Sequence, residues 1–84
     1  MYLMATTEIS EVIFVRFPRK DFTIVAAEAW LFNHGYSDRL IQRSAEFFRF
    51  EQAKPIQGLL YTTVVLGNGV EIVVQKFRRP KLRT

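Results

Sequence analysis

His34 is the single histidine of an 84-residue chain without cysteine. An imidazole can serve as a general base near neutral pH or ligate a metal. Catalysis would require a second group in reach, such as a nucleophile or an orienting partner. Here no second histidine and no thiol exist to play that part. The structural role of closing a helix stripe, favoured at the negative end of the helix dipole, suits His34 better. Asp21, Asp38, Glu46 and Glu51 are scattered over turns and strand ends, and no pair has the spacing of a metal site. No glycine-rich loop precedes a helix, so no phosphate cradle is expected. Gly67-Asn68-Gly69 lies between two apolar runs and reads as turn chemistry. The expectation is a protein that is not an enzyme, with no cofactor, no metal and no small-molecule substrate.

Two stretches could bind a macromolecule. Phe47-Phe48-Arg49-Phe50 is aromatic and basic. Sheets that stack nucleic-acid bases use such residues. The run lacks the glycine pattern of the RRM signature, and three phenylalanines on one strand serve a core or a partner contact more readily than bases. The second stretch is Lys76 to Thr84, which holds Lys76, Arg78, Arg79, Lys81 and Arg83 and no acid. Residues 1–75 carry seven basic and eight acidic residues, so the net charge of +4 belongs to the last nine. These five cations could neutralise phosphates and give salt-dependent binding, or form a solvated terminus, or dock on an acidic protein groove.

The elements that must position these residues follow from periodicity. Ile9 to Phe17 reads as a strand with Ile13, Val15 and Phe17 on one face and Val12 and Phe14 on the other. An apolar residue on each side suggests a strand covered on both. Pro18 ends it, and Arg19-Lys20-Asp21 turns. Thr23 can cap a helix over 23–34, with Phe22 packing back as a staple. Ala27, Trp30, Leu31 and His34 form its apolar stripe. Gly35 supplies the left-handed residue after it. Residues 37–45 read as a loop with one helical turn at most. Glu46 to Gln52 reads as a strand, with Phe48 and Phe50 on one face and Phe47, Arg49 and Glu51 on the other. Leu59–Leu66 and Val70–Phe77 form a hairpin. A three-residue loop with Gly69 left-handed is preferred over a two-residue Asn68-Gly69 turn, because it aligns Leu60, Val64 and Leu66 with Val70, Ile72 and Val74.

The expected fold class is α+β: a β-α-β-β-β domain with one mainly antiparallel sheet and one helix packed on a face. One domain spans 1–84, with 1–8 a flexible N-terminus and 78–84 a basic C-terminal tail. One helix covers one face. Phe14 or Val15, Phe47, Tyr61 and Val73 leave the second face apolar, so either residues 37–45 or another chain must cover it. Phe47, Arg49, Tyr61 and Val73 are therefore the expected partner-binding residues. The absence of cysteine points away from a disulfide-stapled secreted domain and toward the cytoplasm. No apolar run approaches the ~20 residues of a membrane span. Met1-Tyr2-Leu3-Met4 lacks the features of a signal peptide, and Met4 reads as the more natural start.

Phe17-Pro18-Arg19-Lys20, Phe22-Thr23, Ala27-x-x-Trp30-Leu31-x-x-His34-Gly35-Tyr36 and Phe48-Arg49-Phe50-x-Gln52 together resemble small uncharacterised domains of phage and prophage proteins. The likeness covers about residues 13 to 55. Glu51 stands where the family pattern has a basic residue, which weakens a phosphate role for that strand. The resemblance implies a viral or mobile-element setting, with the host cytoplasm as location, and transfers no site. The sequence thus points to a small accessory protein that works by protein–protein contact, through self-association or docking on a larger partner. The alternative is a nucleic-acid-binding protein using Lys76, Arg78, Arg79, Lys81 and Arg83.

Overall fold

The computed structural model describes residues 6–80. Its elements run β1 (Thr6–Pro18), α1 (Ile24–Asn33), β2 (Leu40–Arg43), β3 (Phe47–Glu51), β4 (Tyr61–Val65) and β5 (Glu71–Pro80). All five strands join one antiparallel sheet in the order β2-β3-β1-β5-β4. The expected β-α-β-β-β order is therefore corrected: the sheet has one strand more than the sequence reading allowed.

The added strand is β2, within the segment expected to be a loop. Its backbone pairs with β3, Leu40 opposite Phe50 and Arg43 opposite Phe48. The cause is the turn that follows. Ser44 Oγ accepts the N–H groups of Glu46 (3.3 Å) and Phe47 (3.0 Å), and the Ser44 N–H donates to the Phe47 carbonyl at 3.0 Å. This serine-closed turn folds the chain back as a hairpin. Gln52 secures the other end, accepting the Ser37 N–H and donating to the Ser37 carbonyl, each at 2.7 Å. Every residue of β2 is exposed, so this segment does not cover the second face of the sheet.

The helix forms where its caps demand. Thr23 Oγ1 accepts the Ala26 N–H at 3.1 Å, satisfying one of the orphan donors of the first turn. At the other end the Tyr36 N–H reaches the Leu31 carbonyl (2.9 Å) and the Gly35 N–H reaches Phe32 (3.2 Å). Gly35 has φ +75°, the left-handed conformation this Schellman closure needs. The helix lays Ala27 and Leu31 on Val15, Phe17, Phe48, Phe50 and Val70. Phe17, Phe50 and Leu31 are fully buried, and each contributes about 1.5–3 kcal/mol of apolar burial. Phe17 anchors the cluster with edge-on contacts to Phe22, Trp30 and Phe50 at 5.1, 5.6 and 5.5 Å between centroids.

A β-bulge alters the faces of β1. The register with β5 shifts between Val12 and Phe14. Ile13 is the extra residue; it is fully buried, and its carbonyl accepts the Gln52 N–H at 2.8 Å. Beyond the bulge Val12 joins the helix-side cluster with Val15. Simple alternation had placed it on the opposite face; a bulge resets that parity. The β4–β5 hairpin takes the three-residue loop. Val64 pairs with Ile72 and Thr62 with Val74. Gly69 has φ +90° and donates to the Leu66 carbonyl at 2.9 Å.

At the far end, β1 and β5 pair from Thr6 opposite Pro80 to Ser10 opposite Lys76. Neither β3 nor β4 has a residue paired at those positions, so this stretch is a two-stranded ribbon. Arg78 and Arg79, expected to begin a tail, belong to β5, opposite Glu8 and Thr7. Lys81 and Arg83 lie outside the described residues, as do Met1 to Ala5 of the expected flexible N-terminus.

Candidate protein-contact surface

The second face of the sheet, opposite the helix, collects residues from four strands. β3 contributes Phe47, Arg49 and Glu51, and β1 contributes Phe14 and Arg16. β5 supplies Glu71, Val73 and Gln75, and β4 supplies Tyr61, Thr63 and Val65. Its apolar groups are largely covered from within. The Arg16 guanidinium sits 5.3 Å over the Phe47 ring, and that of Arg49 sits 4.6 Å over the Phe14 ring. Each such cation–π contact covers part of one ring. Arg16 also forms a salt bridge with Glu71. Arg16 and Arg49 are directly opposite across β1 and β3, and the Nε of each is buried without a protein acceptor.

The rest of this face is covered by the link between β3 and β4. Gln75 is fully buried. Its carboxamide accepts the Ile56 N–H (2.9 Å) and donates to the Lys54 carbonyl (3.1 Å) and to Glu11 (2.8 Å). Tyr61 Oη donates to the Ile56 carbonyl at 3.4 Å. The segment from Lys54 to Ile56 thus crosses the face whose cover was expected from either residues 37–45 or another chain.

The four expected partner residues therefore share one face but not one condition. Val73 is only 9% exposed, so it is a core residue and not a contact. Phe47 and Arg49 are half-buried in the arginine–phenylalanine lattice. Tyr61 alone stands open, at 49% exposure.

The open apolar surface lies instead at an edge of the sheet. Every residue of β4 is exposed. Leu60, Val65, Tyr61 and Val64 are 85%, 63%, 49% and 45% exposed. The helix sits over β1 and β3 and does not reach this strand. Between Lys54 and Glu71 the chain has no charged residue. Edge strands are ordinarily protected by charge, proline or extreme shortness. The opposite edge is: β2 is four residues long, ends in Arg43 and follows Arg39. β4 has none of these devices. Sequence reasoning found Tyr61 but missed the edge, although the uncharged run from 55 to 70 was visible.

His34 stands where the helix ends. Its Nδ1 lies 2.7 Å from the Trp30 carbonyl. A carbonyl can only accept, so Nδ1 carries the proton and donates. The imidazole stacks on Trp30 at 3.8 Å, and Trp30 lies parallel to Tyr36 at 5.9 Å. These are helix-closing contacts. Among the described residues no group of three or more His, Cys, Asp or Glu is placed to hold a metal, and no helix is long and apolar enough to cross a membrane. No family model, curated protein or solved structure matches this chain.

Proposed function

We propose that this protein is a non-enzymatic accessory protein of the cytoplasm that works by protein–protein contact, in the phage or prophage setting its sequence resembles. The observation that carries the reading is β4, an edge strand exposed along its whole length within a run of sixteen uncharged residues, positions 55–70. An exposed strand edge offers unpaired backbone groups to a partner strand, and its side chains supply apolar area. The second sheet face has a lesser part, because its own arginines and the 54–56 segment occupy it.

The nucleic-acid reading rests on a different observation. Lys76, Arg78 and Arg79 lie on one strand of the two-stranded ribbon. Light scattering of the full chain at low and high salt, with and without a short duplex and a single-stranded oligonucleotide, separates the two. Protein contact predicts assemblies that ignore oligonucleotide and persist in salt. Phosphate binding predicts a mass shift at low salt only, lost when residues 76–84 are removed.

A further inference from the structure

Resting on the protein-contact reading, and narrowing it to one partner, we infer that β4 pairs with β4 of a second copy, antiparallel about a two-fold axis at Thr63, to make a continuous ten-stranded sheet. The backbone sets this register. The Leu66 N–H, just past β4, donates to the Val70 carbonyl, just before β5, at 2.8 Å. Backbone groups alternate in direction along a strand. Val64 and Thr62 therefore turn their N–H and C=O groups toward β5, and Val65, Thr63 and Tyr61 turn theirs outward.

An antiparallel two-fold centred on Thr63 matches these outward groups to themselves. Thr63 meets Thr63, and Tyr61 meets Val65 on either side, each pair exchanging both N–H···O=C bonds. Threonine–threonine and aromatic–β-branched pairs are among the favourable cross-strand combinations. On the helix side, Thr62 falls beside Val64. No charge faces a like charge anywhere along the seam, because the strand carries none. A two-fold interface must be complementary to itself, and this strand is. The other edge is not: two β2 strands so paired would bring Arg43 and Arg39 into the seam. The same two-fold sends the C-terminal ends of the two β5 strands in opposite directions.

Charge substitutions at the centre test the register. Thr63→Lys and Thr63→Glu each place like charges face to face across the axis, which opposes pairing. Each variant alone should lose dimer affinity by roughly a hundredfold or more. Mixed in equal amounts they should recover a dimer, containing one chain of each kind. Circular dichroism and thermal melting check that both variants fold. Hydrogen exchange of the unmodified chain gives a readout free of substitution. The Tyr61, Thr63 and Val65 amides should be slow at high concentration and fast on dilution, while those of Thr62 and Val64 stay slow throughout. A dimer that tolerates Thr63→Lys, or whose outward amides exchange freely, overturns the inference while the protein-contact reading stands. A chain monomeric at every concentration also overturns it, and the edge is then left for a strand of another protein. Assembly that appears only with oligonucleotide overturns both.

Discussion

The carboxamide of Gln75 accepts the backbone N–H of Ile56 at 2.9 Å, from a residue nineteen positions earlier in the chain. The same side chain donates to Lys54 and Glu11, so one buried amide fastens the β3–β4 link to the middle of the sheet. Buried polar groups are costly unless satisfied, and removing one partner leaves the others orphaned.

Gln75→Ala should therefore destabilise by about 2–4 kcal/mol, more than its apolar volume accounts for. Urea unfolding measures this. Limited proteolysis should show new cleavage between residues 53 and 60, before global unfolding sets in. Gln75→Glu should be no better, since it sets a second carboxylate against Glu11.

The helix caps make a separable pair. Thr23→Ala removes the acceptor for the Ala26 N–H and should cost about 1 kcal/mol. Gly35→Ala meets no atom within 4 Å, so its cost is the left-handed backbone alone, about 1 kcal/mol. Gly69→Ala should cost more. Its backbone is also left-handed, and the new methyl would lie 3.3 Å from Pro18 Cγ. Thermal melting should place Gly69→Ala below the other two, which should melt close together.

Leu31 is fully buried and is a main link between α1 and the sheet. Leu31→Ala should cost about 2–5 kcal/mol. Domains of this size have roughly 5–15 kcal/mol in total. The near-ultraviolet signal of Trp30, which packs on Phe17, should weaken with the loss.

Arg16 and Arg49 should respond differently to the same substitution. Arg16 has Glu71 as a partner, whereas Arg49 has a ring beneath it and a like charge directly opposite. Arg49→Met keeps an apolar stem over Phe14 and removes the repulsion, so stability should change by less than about 0.5 kcal/mol in either direction. Arg16→Met strands the carboxylate of Glu71 and should cost about 1 kcal/mol, discounted for partial exposure. Urea midpoints of both variants at low and high salt check this, with the difference between them narrowing as salt rises.

Local chemistry alone determined much of this protein. Thr23, the Ala27–Leu31 stripe and Gly35 define a helix through interactions that span one turn at a time. Phe48 and Phe50 alternate with Phe47 and Arg49 as any half-buried strand does, and Gly69 chooses the loop that sets the hairpin register. What tertiary structure decided was coverage. Leu40–Arg43 has no periodicity of its own, and becomes a strand because β3 offers an edge and Ser44 closes the turn. The Ile13 bulge moves Val12 to the helix side, a shift visible only once β5 is beside it. Val73, apolar and on the outer face, is buried, while Tyr61 and Val65, no more apolar, stay open because the helix stops short of β4 and the 54–56 segment meets it only at the Tyr61 hydroxyl. Burial depends on which distant segment comes to rest above a residue, and neighbours in sequence carry no record of that.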